Sequence, residues 1–147
     1  MLQFQTQSFD QLSTRHLYEL LRVRSEVFVV EQKCIFLDLD NHDQFCYHVL
    51  GLNGQSDVMA YTRIAPPGVL YNEPSIGRVL TSPLYRGRGM GKLLMDYSVK
   101  QCEQMFPNAP IKIMAQEYLE KFYSDLGFKT TSEAFEEDGI LHVYMLR

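Results

Sequence analysis

Between a strand-like run, Ser75 to Thr81, and an amphipathic helical run, Leu93 to Phe106, stands the segment Arg86-Gly87-Arg88-Gly89-Met90-Gly91-Lys92. A glycine-rich turn at a strand-to-helix junction leaves backbone N–H groups exposed beside the positive end of the helix dipole, which makes a site for a phosphate anion. A phosphate-bearing ligand is expected here; the competing reading is a structural turn that binds nothing. Two familiar phosphate loops are excluded by spacing. A Walker A loop needs G-x-x-x-x-G-K-[ST], but Arg86 stands five before Gly91 and Leu93 follows Lys92, so no hydroxyl is placed for Mg²⁺. The dinucleotide pattern G-x-G-x-x-G would need glycine where Lys92 or Leu94 stands.

The rest of the chain reads as continuous, without repeats or a linker. Leu2, Phe4 and Thr6 alternate with glutamines, as in a half-buried edge strand. From Ser13 to Val30, Leu17, Leu20, Leu21, Val23, Val27 and Phe28 recur near helical spacing, with Ser13 or Thr14 as the N-cap, which predicts a long helix broken near its end. Phe45 to Leu52 and Val58 to Ile64 flank Asn53-Gly54-Gln55-Ser56 and predict a hairpin. After the Pro66-Pro67-Gly68 loop come a strand, Ile76 to Thr81, and a helix turning Leu94, Tyr97, Cys102 and Met105 inward. Ile111 to Ala115 reads as a buried strand and Glu117 to Leu126 as a helix stopped by Gly127. Two strands, Phe128 to Phe135 and Ile140 to Leu146, close the chain around Glu137-Asp138-Gly139. The order β-α-β-β-β-α-β-α-β-β predicts an α/β protein of the α+β type, a mixed sheet with helices on both faces, as a single domain over 1–147.

Composition narrows the function classes. With 147 residues the chain can bury about 68–70% of its unfolded surface and needs no disulfide or metal to fold. Cys34, Cys46 and Cys102 form no C-x-x-C pair and fit a reducing compartment. No apolar run has the length of a membrane span, and the N-terminus does not read as a signal peptide, so the expectation is a cytoplasmic protein with no membrane partner. A formal charge of −4 without a basic stripe disfavours nucleic acid.

Arg86, Gly89 and Gly91 match R-x-x-G-x-G, and the segment resembles the acyl-CoA pyrophosphate loop of the GCN5-related N-acetyltransferase (GNAT) superfamily. Tyr118 to Phe128 is similar to that superfamily's segment ending in Tyr, a short spacer and Gly-Phe. Arg22 to Cys34 with Asp38-Leu39-Asp40 and Asp43, the strand Ile76-Gly77-Arg78-Val79, and Tyr123 through Glu136 to His142 resemble the ElaA-like branch. Ile35 and Leu141 depart from it, standing where the branch usually has proline, and Gln116 stands where the superfamily often has Asn.

The resemblance implies an acetyl-CoA-dependent N-acetyltransferase fold with a splayed pair of parallel strands, Val79 to Thr81 and Ile111 to Ala115. It implies that backbone groups of Val79, Leu80 and Thr81 bond the pantetheine arm and that Gly87, Gly89, Met90 and Gly91 cradle the diphosphate. Arg86, Arg88 and Lys92 would add positive charge, Gln116 would contact the arm, and Tyr123 would stand beside the thioester sulfur. The competing reading makes Tyr118, Phe122, Tyr123 and Leu126 the buried face of a helix.

On the acceptor side, a small-molecule or peptide amine must lose a proton before attack, and Glu31, Glu73, His48 and His142 are candidate bases that spacing does not separate. Asp38, Asp40, Asp43, His42 and His48 lack an EF-hand pattern, so a polar loop beside the acceptor pocket is expected, with no metal. An acidic pocket would favour cationic amines. The rival reading is a non-catalytic acyl-CoA sensor or protein-interaction module on the same fold; transfer to charged tRNA is weaker, and a homodimer stays open.

Overall fold

A computed structural model describes residues 2–54 and 57–147. Its strands are β1 Leu2–Ser8, β2 Tyr47–Asn53, β3 Asp57–Ala65, β4 Ser75–Thr81, β5 Lys112–Gln116, β6 Lys129–Thr130, β7 Phe135–Glu137 and β8 Ile140–Leu146. They form one sheet in the order β1-β2-β3-β4-β5-β8-β6, with β7 also paired to β8. The β4–β5 pair is parallel and the others are antiparallel. Gln55 and Ser56 of the expected hairpin turn lie outside the described residues.

Alternation along β3 sends successive side chains to opposite faces, and each face takes one long helix. On one, Leu20 and Val23 of α1 (Thr14–Arg24) pack with Val27, Leu50, Tyr61 and Leu80. On the other, Leu94, Met95, Val99 and Cys102 of α2 (Met90–Met105) pack with Ile64, Ile76, Ile113 and Met145. Thr62 and Ser98, both fully buried, satisfy each other there through hydroxyls 2.7 Å apart. The three cysteines are buried free thiols.

Three expected elements differ. The helix expected over Ser13 to Val30 begins as predicted, with Ser13 Oγ accepting the His16 N–H at 3.0 Å, but widens at Ser25 into a π-helical segment, Ser25–Glu31. The Gln32 N–H bonds the Val27 carbonyl and the Cys34 N–H that of Val29, both five residues back. Val27, Val29 and Val30 are β-branched and crowd an α-helical turn. The helix expected over Glu117 to Leu126 is a 3-10 turn, Glu117–Leu119, followed by a short α3, Glu120–Ser124. Gly127, at φ +96°, ends it as expected: Phe128 N–H bonds the Tyr123 carbonyl and Gly127 N–H that of Ser124, a Schellman ending. The strand expected over Phe128 to Phe135 breaks into β6 and β7, because the Ser132 hydroxyl takes the Tyr144 N–H that a continuous strand would have bonded.

The feature that positions the site is the β4–β5 pair. The two strands pair at Ser75 and Lys112, with a Lys112 N–H to Pro74 carbonyl bond of 2.9 Å, and then diverge. Lys112 Nζ sits between the rings of Tyr71 and Tyr144, 4.6 and 4.5 Å from their centroids, which fixes the closed end of the wedge.

Candidate active site

The wedge opens into a cleft of about 490 Å³, walled by β4 from Ile76 to Thr81, by Ile113, Met114 and Gln116 of β5, and by the π-helical segment. β4 does not run straight along it. Its register with β3 shifts between Leu80 and Gly77, and the bulge there carries Arg78 at φ +51°. A left-handed conformation costs a Cβ-bearing residue roughly 1–2 kcal/mol. Arg78 is held in it by Asp38: its Nε donates to Oδ1 at 2.7 Å and a terminal N–H to the backbone carbonyl at 2.8 Å.

Of the residues expected to bind the coenzyme, Val79, Leu80, Thr81, Arg86 and Gln116 line this cleft together with Tyr123. Gly87, Arg88, Gly89, Met90, Gly91 and Lys92 do not line it; they continue from its Arg86 end into the head of α2. Gly87 and Gly89 take φ +81° and +68°, and Gly89 is the N-cap, so the turn has the conformation that glycine permits. The side chains around this turn are engaged elsewhere. Met90 is in the core, Arg88 lies over Tyr85, and Lys92 pairs with Asp96 one turn on at 2.8 Å. The loop therefore offers an anion its backbone N–H groups.

Arg86 reaches away from the glycines. Its terminal nitrogens donate to both oxygens of Glu31 at 2.6 and 2.7 Å, and its Nε donates to the Thr81 carbonyl at 3.2 Å. The hydrogen bonds from Arg86 hold the Glu31 carboxyl below its ordinary range. Gln116 Nε2 donates to the Gln32 side chain at 3.4 Å.

Tyr123 is 6% exposed, wedged edge-on between Phe122 and Phe128. Its hydroxyl makes no hydrogen bond among the described residues, and burial, reinforced by the neighbouring Tyr118 phenol, pushes its pKa up to about 12. A proton donor with that value stays protonated at neutral pH. A phenol held in this state can donate a hydrogen bond into the cleft.

The acidic loop, expected as a polar loop beside the acceptor pocket, has its carboxylates turned in and paired. Cys34, Phe36, Asp38 and Asp40 turn inward while Ile35, Leu37 and Leu39 turn out. Asp38, Asp40 and Asp43 are taken up by Arg24, Arg63 and Arg78. Among the described residues no group of three or more His, Cys, Asp or Glu is arranged to hold a metal. His48 is fully buried and has both nitrogens bonded: Nε2 donates to the Asp43 carbonyl at 2.9 Å and Nδ1 accepts the Tyr61 hydroxyl at 2.6 Å. His142 does line the cleft, as do Glu137 and Asp138; Glu73 does not. Phe36, Arg78, Glu137 and Asp138 are wall residues the sequence reading left unassigned. The inward alternation from Cys34 to Asp40 was the signal that could have located Phe36.

A mixed sheet opened between two parallel strands, with a glycine turn at the head of the following helix, defines the acyl-CoA acyltransferase fold. The crystal structure of an acyl-CoA N-acyltransferase from Pseudomonas aeruginosa superposes with a TM-score of 0.95, at 33% identity over 100% of this chain and 99% of that one. Residues 44–146 match the acetyltransferase (GNAT) domain family. Protein ElaA of Escherichia coli K12 is 37% identical over 100% of this chain and 97% of its own length. The crystal structure of E. coli ElaA gives a TM-score of 0.93 at 36% identity, covering 100% and 99% of the two chains. The chain belongs to the GNAT family, in its ElaA-like branch.

Proposed function

We propose that the protein transfers an acetyl group from acetyl-CoA to a primary amine, by direct attack on the thioester in a ternary complex. The observation that carries this reading is the wedge pinned at Ser75 and Lys112, with Tyr123 in its wall and the glycine turn beyond its Arg86 end. A pantetheine arm lies in the wedge as a pseudo-strand on backbone groups of Val79, Leu80 and Thr81, with the diphosphate at the N–H groups of Gly87 to Lys92. Arg86 adds charge after exchanging Glu31 for the diphosphate, and Gln116 contacts the arm. A backbone N–H near Leu80 or Thr81 stabilises the oxyanion, and the Tyr123 hydroxyl donates to the departing sulfur. No step calls for a metal.

Titration calorimetry with acetyl-CoA, with ATP as control, tests the coenzyme site. Micromolar binding, roughly −8 kcal/mol, is expected for acetyl-CoA and none for ATP. Thiol release with spermidine and with a lysine-containing peptide tests the transfer; tight binding with no release from any amine would favour a sensor. Tyr123→Phe is expected to lower kcat by about 10–100-fold with acetyl-CoA affinity within twofold, measured by steady-state kinetics and calorimetry. An unchanged kcat, with chemistry limiting the rate, would remove Tyr123 from the leaving-group role.

A further inference from the structure

An amine that attacks a thioester becomes a positively charged nitrogen on a tetrahedral carbon, and a group must take its proton before the C–S bond breaks. The group has to reach the cleft and carry an open lone pair. Glu31 lines the cleft, but it stands at the Arg86 end, where the diphosphate is proposed to bind, and not beside Tyr123. His48 is sealed between Tyr61 and Asp43, Glu73 lies off the cleft, and the three loop aspartates are bound to arginines.

Glu137 and Asp138 reach the cleft only from the exposed β7–β8 turn, whereas His142 meets both conditions from within the wall. It sits on β8 opposite Gln116 of β5, lines the cleft with Tyr123, and is 8% exposed. Its Nδ1 is 2.8 Å from the Ile140 carbonyl. A carbonyl only accepts, so in the neutral ring Nδ1 carries the hydrogen and Nε2 presents the lone pair. Nε2 has no hydrogen bond among the described residues. Phe135, its register partner on β7, lies alongside the ring, with centroids 6.2 Å and planes 26° apart.

Resting on the acyltransferase reading above, we infer that His142 Nε2 is the proton acceptor for the attacking amine. The amine lone pair forms the N–C bond, the nitrogen's proton passes to Nε2, and the C–S pair leaves with sulfur, hydrogen-bonded by Tyr123. His142 then returns the proton to solvent and the thiolate takes one from it, so amine and thioester give amide and thiol. The charged and titratable groups that share the cleft with His142 are Glu137 and Asp138 from the β7–β8 turn, Arg78 from β4, Tyr118 from the 3-10 turn, Tyr123 from α3, the Cys34 thiol and the Glu31–Arg86 pair. The Cys34 thiol is occupied, donating to the Asp138 carbonyl at 3.3 Å. Glu137 and Asp138 supply negative potential that draws a cationic amine into the cleft, where it gives its first proton to solvent before the lone pair attacks.

The experiment compares wild type with His142→Gln and His142→Ala, using saturating acetyl-CoA and whichever of spermidine or a lysine-containing peptide releases more thiol. Expected are a kcat lower by about 10²–10³-fold in both variants with acetyl-CoA Kd within twofold of wild type. Expected too are an altered acid limb of the kcat/KM profile and partial recovery of His142→Ala by added imidazole. A kcat within threefold of wild type, an unaltered acid limb, or no recovery by imidazole would overturn the assignment. If wild type binds acetyl-CoA but releases no thiol with either amine, the acyltransferase reading fails first and takes the assignment with it, a result separable from failure of the variants alone.

Discussion

Arg24 and Arg86 use their guanidinium groups in much the same way, and the protein treats them differently. Arg24 donates to Asp38 at 2.9 Å, to Asp43 at 2.7 Å and to the Asp38 carbonyl at 3.2 Å, with its side chain 0% exposed. Arg86 donates twice to Glu31 and once to the Thr81 carbonyl, with its side chain 40% exposed. Arg24 belongs to a mostly buried set of three arginines and three aspartates whose formal charges cancel, with Arg78 and Asp40 partly exposed, and which ties the loop after the π-helical segment to β3 and β4. Once buried, no member can leave without stranding a charge. The Glu31–Arg86 pair is wet, screened and worth little to the fold, so either partner can exchange its counter-ion for a ligand. The buried set fixes the cleft wall; the exposed pair can respond to what enters.

The largest expected effect comes from breaking the buried set. Asp43→Ala removes the carboxylate shared by Arg24 and Arg63 and should lower unfolding free energy by about 3–5 kcal/mol in urea denaturation. Arg63 Nε already lacks a partner, so the set has no slack on that side. A loss under about 1 kcal/mol would erase the contrast with Arg86.

Acid should probe the same region more gently. Burial depresses His48, so the unfolded chain takes up a proton first as pH falls through about 6.5, and stability declines from there. Burial alone would raise Asp40 and Asp43, but Arg63 for the first, and Arg24 with Arg63 for the second, outweigh it and hold both below the carboxylate range. Their contribution is complete above about pH 5 and is lost as pH falls further. Urea unfolding across pH 3 to 8 should show a shallow limb of at most about 1.4 kcal/mol per pH unit, steepening below about pH 5. His48→Gln should flatten the upper limb.

The exposed pair gives the smallest change in stability. Arg86→Ala should shift unfolding by less than about 1 kcal/mol while weakening acetyl-CoA about tenfold. Glu31→Gln should leave affinity unchanged or raise it by about twofold, more at low salt. Equal losses in both variants would mean that the pair acts as a clamp on β4 and not as an exchangeable contact.

What the sequence made legible were positions where one residue type alone satisfies the backbone. Gly127 ends α3 at positive φ, and Gly87 and Gly89 shape the turn before α2. Most strands and α2 followed from periodicity, as did α1 up to Arg24; the Phe128 to Phe135 run and the π-helical Ser25–Glu31 did not. Hidden were features made by partners distant in the chain. Arg24 meets aspartates 14 and 19 residues on, and Arg78 meets one 40 residues back, so no local pattern marks them as one set. The bulge hid for a related reason: Gly77 is the residue that sequence would offer for a left-handed position, yet it is Arg78 that takes it, held by Asp38. Tyr123 and the wedge were reached through resemblance to a family, since a buried aromatic at helical spacing says nothing about chemistry by itself.

The divergence of β4 from β5 has a topological meaning. It puts an edge in the middle of a sheet. Perimeter edges invite a foreign strand and are commonly guarded by charge or distortion. This interior edge is guarded by its shape, because the strands meet at Ser75 and Lys112 and a second chain cannot pass through. On the proposed function the slot takes a slender, amide-bearing arm from its open side, and the closed end leaves no through path for the flat run of backbone that seeds aggregation.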